Sequence, residues 1–519
     1  MKSFTLAALA LFAATSALGQ NTMPGMAMPM PPAKPQPTTA QPLPERSEAQ
    51  TPPPAPVPAA PVAGRSMPDG SALPGAGMPR MARDSSDGMM MSMRNSFSKN
   101  LPMSRQGSGT SWHPDSSPMY MQMQQRGGWD MMLMYSVFLR YTRQNFNHGD
   151  LRGDANLRAN SYLMGMANHL VGQRGLFSIQ AMLSADPVTV GGAGYPLLFQ
   201  TGESWQGRKL HDHQHPHDLV SALAVAYTYA ASDNVDLTAY VGYPGEPAIG
   251  PPVFMHRPSA ANLPAAPLGH HWQDATHIQF GVATLGVRYR NAKLEGSLYT
   301  GREPNENRYS FDRPRFDSYS GRLSVNPSAN LALQVSAAHL KSPEELEPAD
   351  NVNRYTTSAL HNVNLNADCM LSTTLVGGLN HHSGSGDSYN SNSLLLESNL
   401  QAQAFNVFTR LETLQLNYDE LELPAASDAQ ARAARRIGAF TLGASKYVAK
   451  TAAGWLDLGL SGTLNTFDNS DATLLSAYGK NPLSFEVYLR FIAPRTSMHL
   501  GGMGHGGMKH SMKPGGMKM

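Results

Sequence analysis

The sequence predicts an all-β fold, a transmembrane antiparallel β-barrel of roughly 14 to 18 strands. Three observations carry that expectation. The chain opens with an export signal. Its long middle part is a series of segments about ten residues long in which apolar and polar side chains alternate. After the signal, no apolar run approaches the roughly 18 residues that a spanning helix needs.

The elements follow in chain order. Residues 1–19 read as the signal. Lys2 supplies the positive start, Phe4 to Ala14 the apolar core, and Ala17 and Gly19 the small residues before a cut at Gln20. The sole cysteine is Cys369, so a lipid anchor at the cut and an intrachain disulfide are both excluded. Residues 20–108 are rich in Pro, Ala, Met, Ser and Gly, and stretches such as Thr51 to Pro61 cannot build a core. They are expected to be a disordered arm. Residues 109–496 are expected to form the barrel, and residues 497–519 a tail of Gly, Met, His and Lys. A formal charge of +2 over 519 residues gives no reason to invoke nucleic acid.

Within the body, Leu133, Tyr135, Val137, Leu139 and Tyr141 share one strand face. The same period of two runs through Val235 to Tyr243, Ile278 to Thr284, Leu331 to Ala337 and Phe405 to Thr409. The last segment, Leu483 to Ala493, sets Phe485, Val487, Leu489 and Phe491 against Ser, Glu, Tyr and Arg. Turns rich in Asn, Asp, Gly and Ser separate such segments. Only a closed sheet satisfies every backbone group in lipid without helices, so export plus alternation means an outer-membrane barrel. An even strand number puts both termini on one side, the periplasmic side in such barrels. The soluble alternative, a sandwich or propeller, lacks support from any blade-length repeat.

Methionine is distributed unevenly. Of 30 methionines, 25 lie before Tyr135 or after Thr496. The thioether is a soft ligand that suits Cu(I). In the tail, Met503, His505, Met508, His510 and Met512 are separated by flexible Gly and Lys, and mixed Met/His ligation suits copper in both oxidation states. The arms are therefore expected to bind copper.

Two histidine clusters lie in the body. His211, His213, His215 and His217 alternate, followed by Asp218. In an extended strand all four imidazoles would face one way at about 7 Å spacing, too wide for one ion. Pro216 is expected to bend the chain and bring His215 and His217 near Asp218. The second cluster, His270, His271 and Asp274, with His256 and His277 to either side, sits in a long Pro-rich loop of the kind that folds into a barrel or over its mouth. All of these are candidate metal ligands. Whether the two clusters meet stays open. A block from Gly301 to Arg308, with Asp312, Arg313, Arg315, Asp317 and Arg322 beyond, suits ion pairs that hold a loop or narrow a pore. Ser204, His215 and Asp218 could be imagined as a hydrolytic triad, but nothing sets their geometry, and no enzyme is expected.

Several motifs also carry a resemblance. Gly109-Thr-Ser-Trp-His-Pro114, Gly194 to Glu203, Gln214-His-Pro-His-Asp218, Leu268 to Asp274 and Gly301 to Tyr309 resemble a family of Gram-negative outer-membrane β-barrel proteins. The likeness spans Gly109 to about Lys341 and brings no activity or ligand residues with it. The Met-rich arms are similar in composition to those of copper-resistance outer-membrane proteins. The leading expectation is thus a barrel whose periplasmic Met/His arms bind copper and contribute to its sequestration or to tolerance. Its partners would be outer-membrane lipid, metal ions and periplasmic metal-handling proteins. The alternative is a general or substrate-selective pore in which the histidines shape a constriction.

Overall fold

The computed structural model describes residues 94–384 and 388–496. The signal, residues 20–93 of the arm and the whole tail, with Met503, His505, Met508, His510 and Met512, lie outside the described residues.

Sixteen strands close an antiparallel barrel. They are β1 Trp129–Arg143, β2 Ala155–Val171, β3 Gly175–Leu183, β4 Val220–Ser232, β5 Val235–Gly242, β6 Val282–Tyr289, β7 Ala292–Tyr299 and β8 Ser318–Ser328. The other half is β9 Leu331–Lys341, β10 Asn351–Asn364, β11 Met370–Ser383, β12 Tyr389–Gln401, β13 Phe405–Leu416, β14 Arg435–Lys450, β15 Trp455–Thr466 and β16 Leu483–Ile492. Each strand pairs with its sequence neighbour, and β16 returns to β1, with Phe485 opposite Arg143 and Ile492 opposite Ser136. Because β16 stops there, the first residues of β1 would present a bare edge. Gln122–Arg126 covers it by pairing with Trp129 to Leu133. The connecting turn is Gly127-Gly128, both at positive φ (59° and 81°), as a two-residue type I′ hairpin turn requires.

The alternation seen in the sequence is the barrel wall, and its polarity is inverted relative to a soluble protein. In β8, Ser318, Ser320, Arg322 and Ser324 are buried while Tyr319 and Leu323 are exposed. In β16, Glu486 and Arg490 point inward and Val487 and Leu489 outward. The outer face carries Leu285 at 71 % and Leu294 at 62 % exposure, part of an apolar belt that continues through Leu298, Leu442 and Leu460. Such a surface is stable only against lipid. The inner face is held by ion pairs between neighbouring strands: Arg322 with Glu295 at 3.1 Å, Arg410 with Glu397 at 3.0 Å and Arg490 with Asp457 at 2.8 Å. The chain therefore forms an outer-membrane-type β-barrel. One expected strand is shorter than its pattern: Ile278 and Phe280 belong to a loop, and the strand starts at Val282 after Gly281 turns the chain at φ 101°.

Short turns such as Asp233-Asn234, Arg290-Asn291 and Ala329-Asn330 occupy one rim, and the long connections 184–219, 243–281, 300–317, 417–434 and 467–482 the other. β1 begins and β16 ends toward the short-turn rim.

The boundary expected between arm and barrel is corrected by the structure. Residues 94–108 are ordered and, with residues 109–118, lie inside the lumen. Their polar groups meet the inner wall, which is why a segment without a core of its own is held in place. Ser98 donates to Asp236 at 2.6 Å, Lys293 and Arg322 donate to Thr110, and Asn326 donates to the His113 carbonyl at 2.8 Å.

Candidate functional site

Two long-rim loops fold into the lumen instead of standing out from it. Loop 184–219 enters through the short helix Asp186–Thr189 and returns along the paired segments Tyr195–Pro196 and His213–Gln214. Loop 243–281 descends to Phe254–His256 and climbs back through the helical turn His270–Gln273. That turn docks on the wall: Trp272 donates to Ser391 at 2.7 Å, Gln273 to Ser393 at 3.0 Å, and Asn380 to the His271 carbonyl at 3.2 Å. An apolar cluster near the long rim, including Leu198, Phe199, Leu268, Trp272, Leu421 and Tyr478, fixes both loops from above. Burial of this kind is worth about 1.5–3 kcal/mol per large side chain.

The descent separates the four alternating histidines. Asp212 sits at φ +57°, which breaks the extended run. His211 and His213, each 28 % exposed, stay at the mouth, where His211 lies 3.7 Å from Glu422 and His213 3.8 Å from Asp154. They line a cavity of about 690 Å³ with Arg152 and Lys209. His215 and His217, beyond them, are nearly enclosed. Asp218 does not join them; it pairs with Arg308 at 3.5 Å.

The two sequence clusters do meet. The ring of His215 lies 6.3 Å from that of His270 and 5.7 Å from that of His271, and His217 lies 5.5 Å from His277. His270 is 5.3–5.4 Å from both His271 and His277. Each imidazole is oriented by an oxygen at Nδ1. The partners are Glu203 for His215 (3.1 Å), Asp186 for His217 (2.9 Å), Asp274 for His270 (2.6 Å), Glu303 for His271 (3.3 Å) and the Asp274 carbonyl for His277 (3.0 Å). Close approach is possible because Gly202, at φ +133°, faces the His271 ring; a Cβ there would lie 2.4 Å from it. The Nε2 atoms of His215, His271 and His277 are buried without a hydrogen-bond partner among the described residues.

Burial sets the charges. It drives His215 and His277 well below the usual imidazole range and lowers His270 despite Asp274. Burial also opposes charge on His271, but Glu303 outweighs it and raises that pKa. Burial pushes Glu203 up to about 7 and Asp218 to about 6, against the pull of Arg308. Burial would raise Asp274 too, but Arg257, 2.6 Å away, holds it below the normal carboxylate range. Arg257 itself is fully enclosed between Asp274 and Glu397.

Among the described residues, no three His, Cys, Asp or Glu side chains are placed to hold a metal ion. The candidate ligands His215, His217, His270, His271 and Asp274 are gathered, yet as a network of His–carboxylate pairs. The imagined triad has no such geometry: the Ser204 hydroxyl donates to Glu306 at 3.1 Å, while His215 and Asp218 pair with Glu203 and Arg308. The charged block holds the loops, with Glu303 on His271 and Arg308 bridging Glu203 and Asp218.

Sequence reasoning missed a second feature below this network. Met103, Met119, Met121, Met132, Met164, Met166 and Met182 form one buried cluster, with Met123, Met134 and Met255 packed against it. Of the twelve methionines among the described residues, only Met131 and Met370 lie apart. A usable signal was present: Met119, Met121 and Met123, Met132 and Met134, and Met164 and Met166 are each two apart, so each set shares a strand face.

No family model matches the chain, and no curated protein sequence matches it. Solved structures similar in fold include OmpF of Salmonella typhi in complex with daunomycin (11 % identity, 72 % of this chain and 100 % of that one, TM-score 0.44). An anion-selective porin from Comamonas acidovorans is similar at 11 % identity over 70 % of this chain and 99 % of that one, TM-score 0.41. The outer membrane channel DcaP of Acinetobacter baumannii is similar at 8 % identity over 71 % and 99 %, TM-score 0.39.

Proposed function

We propose that the protein is a solute-selective passage of the outer membrane, closed in this conformation by loops 184–219 and 243–281. One observation carries the reading. Between the mouth cavity and the lower lumen stands a His–carboxylate–Arg network supplied by loops, while the wall behind it is polar and ion-paired. A polar wall suits a path for water and solutes once the loops move. Arg308 is the tie between loops, since it holds Glu203 and Asp218 of one from its place on another. Protein in planar bilayers should show small, discrete conductance steps, and Arg308→Ala should enlarge them. No conductance from either form would sink the passage.

A second reading, copper capture by the terminal segments, is favoured by the 25 methionines that lie before Tyr135 or after Thr496. It requires that the arms hang in the periplasm. Its test must respect the plug: removal of residues 20–93 and 497–519 spares the lumen segment that begins at Arg94. Copper content unchanged by that truncation would exclude the arms.

A further inference from the structure

The methionine cluster has features that core packing does not explain. Across three adjacent strands Met132 pairs with Met166, Met134 with Met164, and Met164 with Met182, so five thioethers stand side by side on the inner wall. Facing them are Met119 and Met121 ahead of β1, Met103 from the turn Met103–Arg105, and Met255 from loop 243–281. Four separate pieces of chain thus bring the same side chain to one place. All seven buried members are methionine, with no Leu, Ile, Val or Phe among them. An apolar plug is better specified by branched side chains, because methionine is flexible and packs loosely.

The cluster also encloses space. A cavity of about 110 Å³ is lined by seven of these methionines with His113, His217 and His256. That is room for an ion with a few waters. His113 is buried, and its Nε2 has no hydrogen-bond partner among the described residues. The Met166 sulfur accepts a hydrogen bond from Gln106 at 3.1 Å, so polar groups reach these thioethers.

We propose that this cavity binds a soft monovalent metal ion, Cu(I) in function, through the thioethers of Met134, Met164 and Met166 and their neighbours, with a histidine at its margin. Thioether sulfur discriminates for Cu(I) and against hard divalent ions. A monovalent charge also needs less compensation in a buried site than a divalent one. The proposal goes beyond the passage reading and does not depend on the terminal arms.

The test uses the full chain, folded in detergent and titrated anaerobically with Cu(I) against a chromogenic chelator, and with Ag(I) as a redox-inert probe. Wild-type protein should hold one equivalent tightly. The triple change Met134→Leu, Met164→Leu and Met166→Leu keeps side-chain volume nearly constant. It should weaken that equivalent at least about 100-fold, more than loss of a supporting hydrogen bond costs. Weaker sites in the arms should be untouched. Identical competition curves for a folded triple variant would overturn the proposal. If the triple variant does not fold, wild-type protein carrying 13C-methyl methionine decides, with Met164→Leu and Met166→Leu each assigning one resonance. One equivalent of Ag(I) should shift both resonances; if neither moves, the site does not exist.

Discussion

The upper and lower halves of the lumen are filled in opposite chemical styles. Toward the long-loop rim, the clustered histidines are each matched to a specific oxygen, and Arg257 and Arg308 to carboxylates. Toward the short-turn rim, the filling against β1 to β3 is thioether, while charges pair elsewhere on the wall, as Arg288 with Asp236 and Lys293 with Glu295. Directional pairs give a closure that breaks when one partner changes. Soft, undirected side chains tolerate substitution but keep a particular affinity. The two halves should therefore fail differently, the upper in structure and the lower in binding.

The largest effect is expected at Arg257. Its Nη1 is 2.6 Å from Asp274 and its Nε 2.7 Å from Glu397, with all three groups buried. Arg257→Ala would take the shared arginine from two buried carboxylates, leaving Asp274 to His270 and Glu397 to Arg410, and breaking such a buried pair costs about 3–5 kcal/mol. Loop 243–281 should lose its seat, bringing His270 and the turn around it into reach of a protease that leaves the wild-type loop intact. Equal proteolysis of both forms would show that the apolar cluster alone holds the loop. Arg308→Ala should cost less, because Glu203 and Asp218 already lie near neutral pH and can take up a proton when their partner goes.

The next effect is on pH. With the loops swung into water, the buried imidazoles would return to about 6.5. Burial holds His215, His270 and His277 below that value and puts His256 at about 4, so the closed form binds fewer protons there. Those groups favour closure above about pH 6.5 and disfavour it as pH falls below. Glu203 and Asp218, raised in the closed form, act in the opposite sense between about 7 and their normal range. His271, raised by Glu303, and Glu246, pushed up by burial to about 8, act with those two carboxylates, so on acidification from about pH 7 to about pH 5 the four lowered imidazoles drive opening and these four groups oppose it. Across that window, His215→Gln with His277→Gln should shift the response toward less opening on acidification than in wild type. Identical pH profiles in wild type and the double variant would remove these histidines from gating.

What could be read from the sequence follows the same division. The barrel was legible because period-two alternation is the wall itself: Phe485 to Phe491 and Leu331 to Ala337 became strands where the pattern placed them. The meeting of His215 and His217 with His270 and His277 was not, because a loop has the same irregular sequence whether it points outward or into the lumen. Ile278 and Phe280 show the cost of pattern alone, since they alternate yet lie in that loop. The plug was missed because residues 94–108 are polar and small, held by wall groups such as Asp236 and Thr110's partners Lys293 and Arg322. The methionine cavity needs the register that brings Met134, Met164 and Met182 into line, which exists only after the strands pair.

The smallest effect tests the lower half most sharply. Met164 is buried between Met134 and Met182 on the wall and lines the cavity. If its role is packing, Met164→Leu should cost under about 1.5 kcal/mol and change nothing else. If its role is ligation, the stability cost is the same size but Ag(I) or Cu(I) affinity falls with it. Unfolding in denaturant and chelator competition on the same sample separate the two. Leu375, on the lipid-facing side of β11 and 44 % exposed, supplies the control: Leu375→Met adds a thioether outside the lumen. It should leave both measurements where they were. A stability loss at Met164 without a change in affinity would reduce the cluster to a loosely packed plug and the two halves to one function, closure.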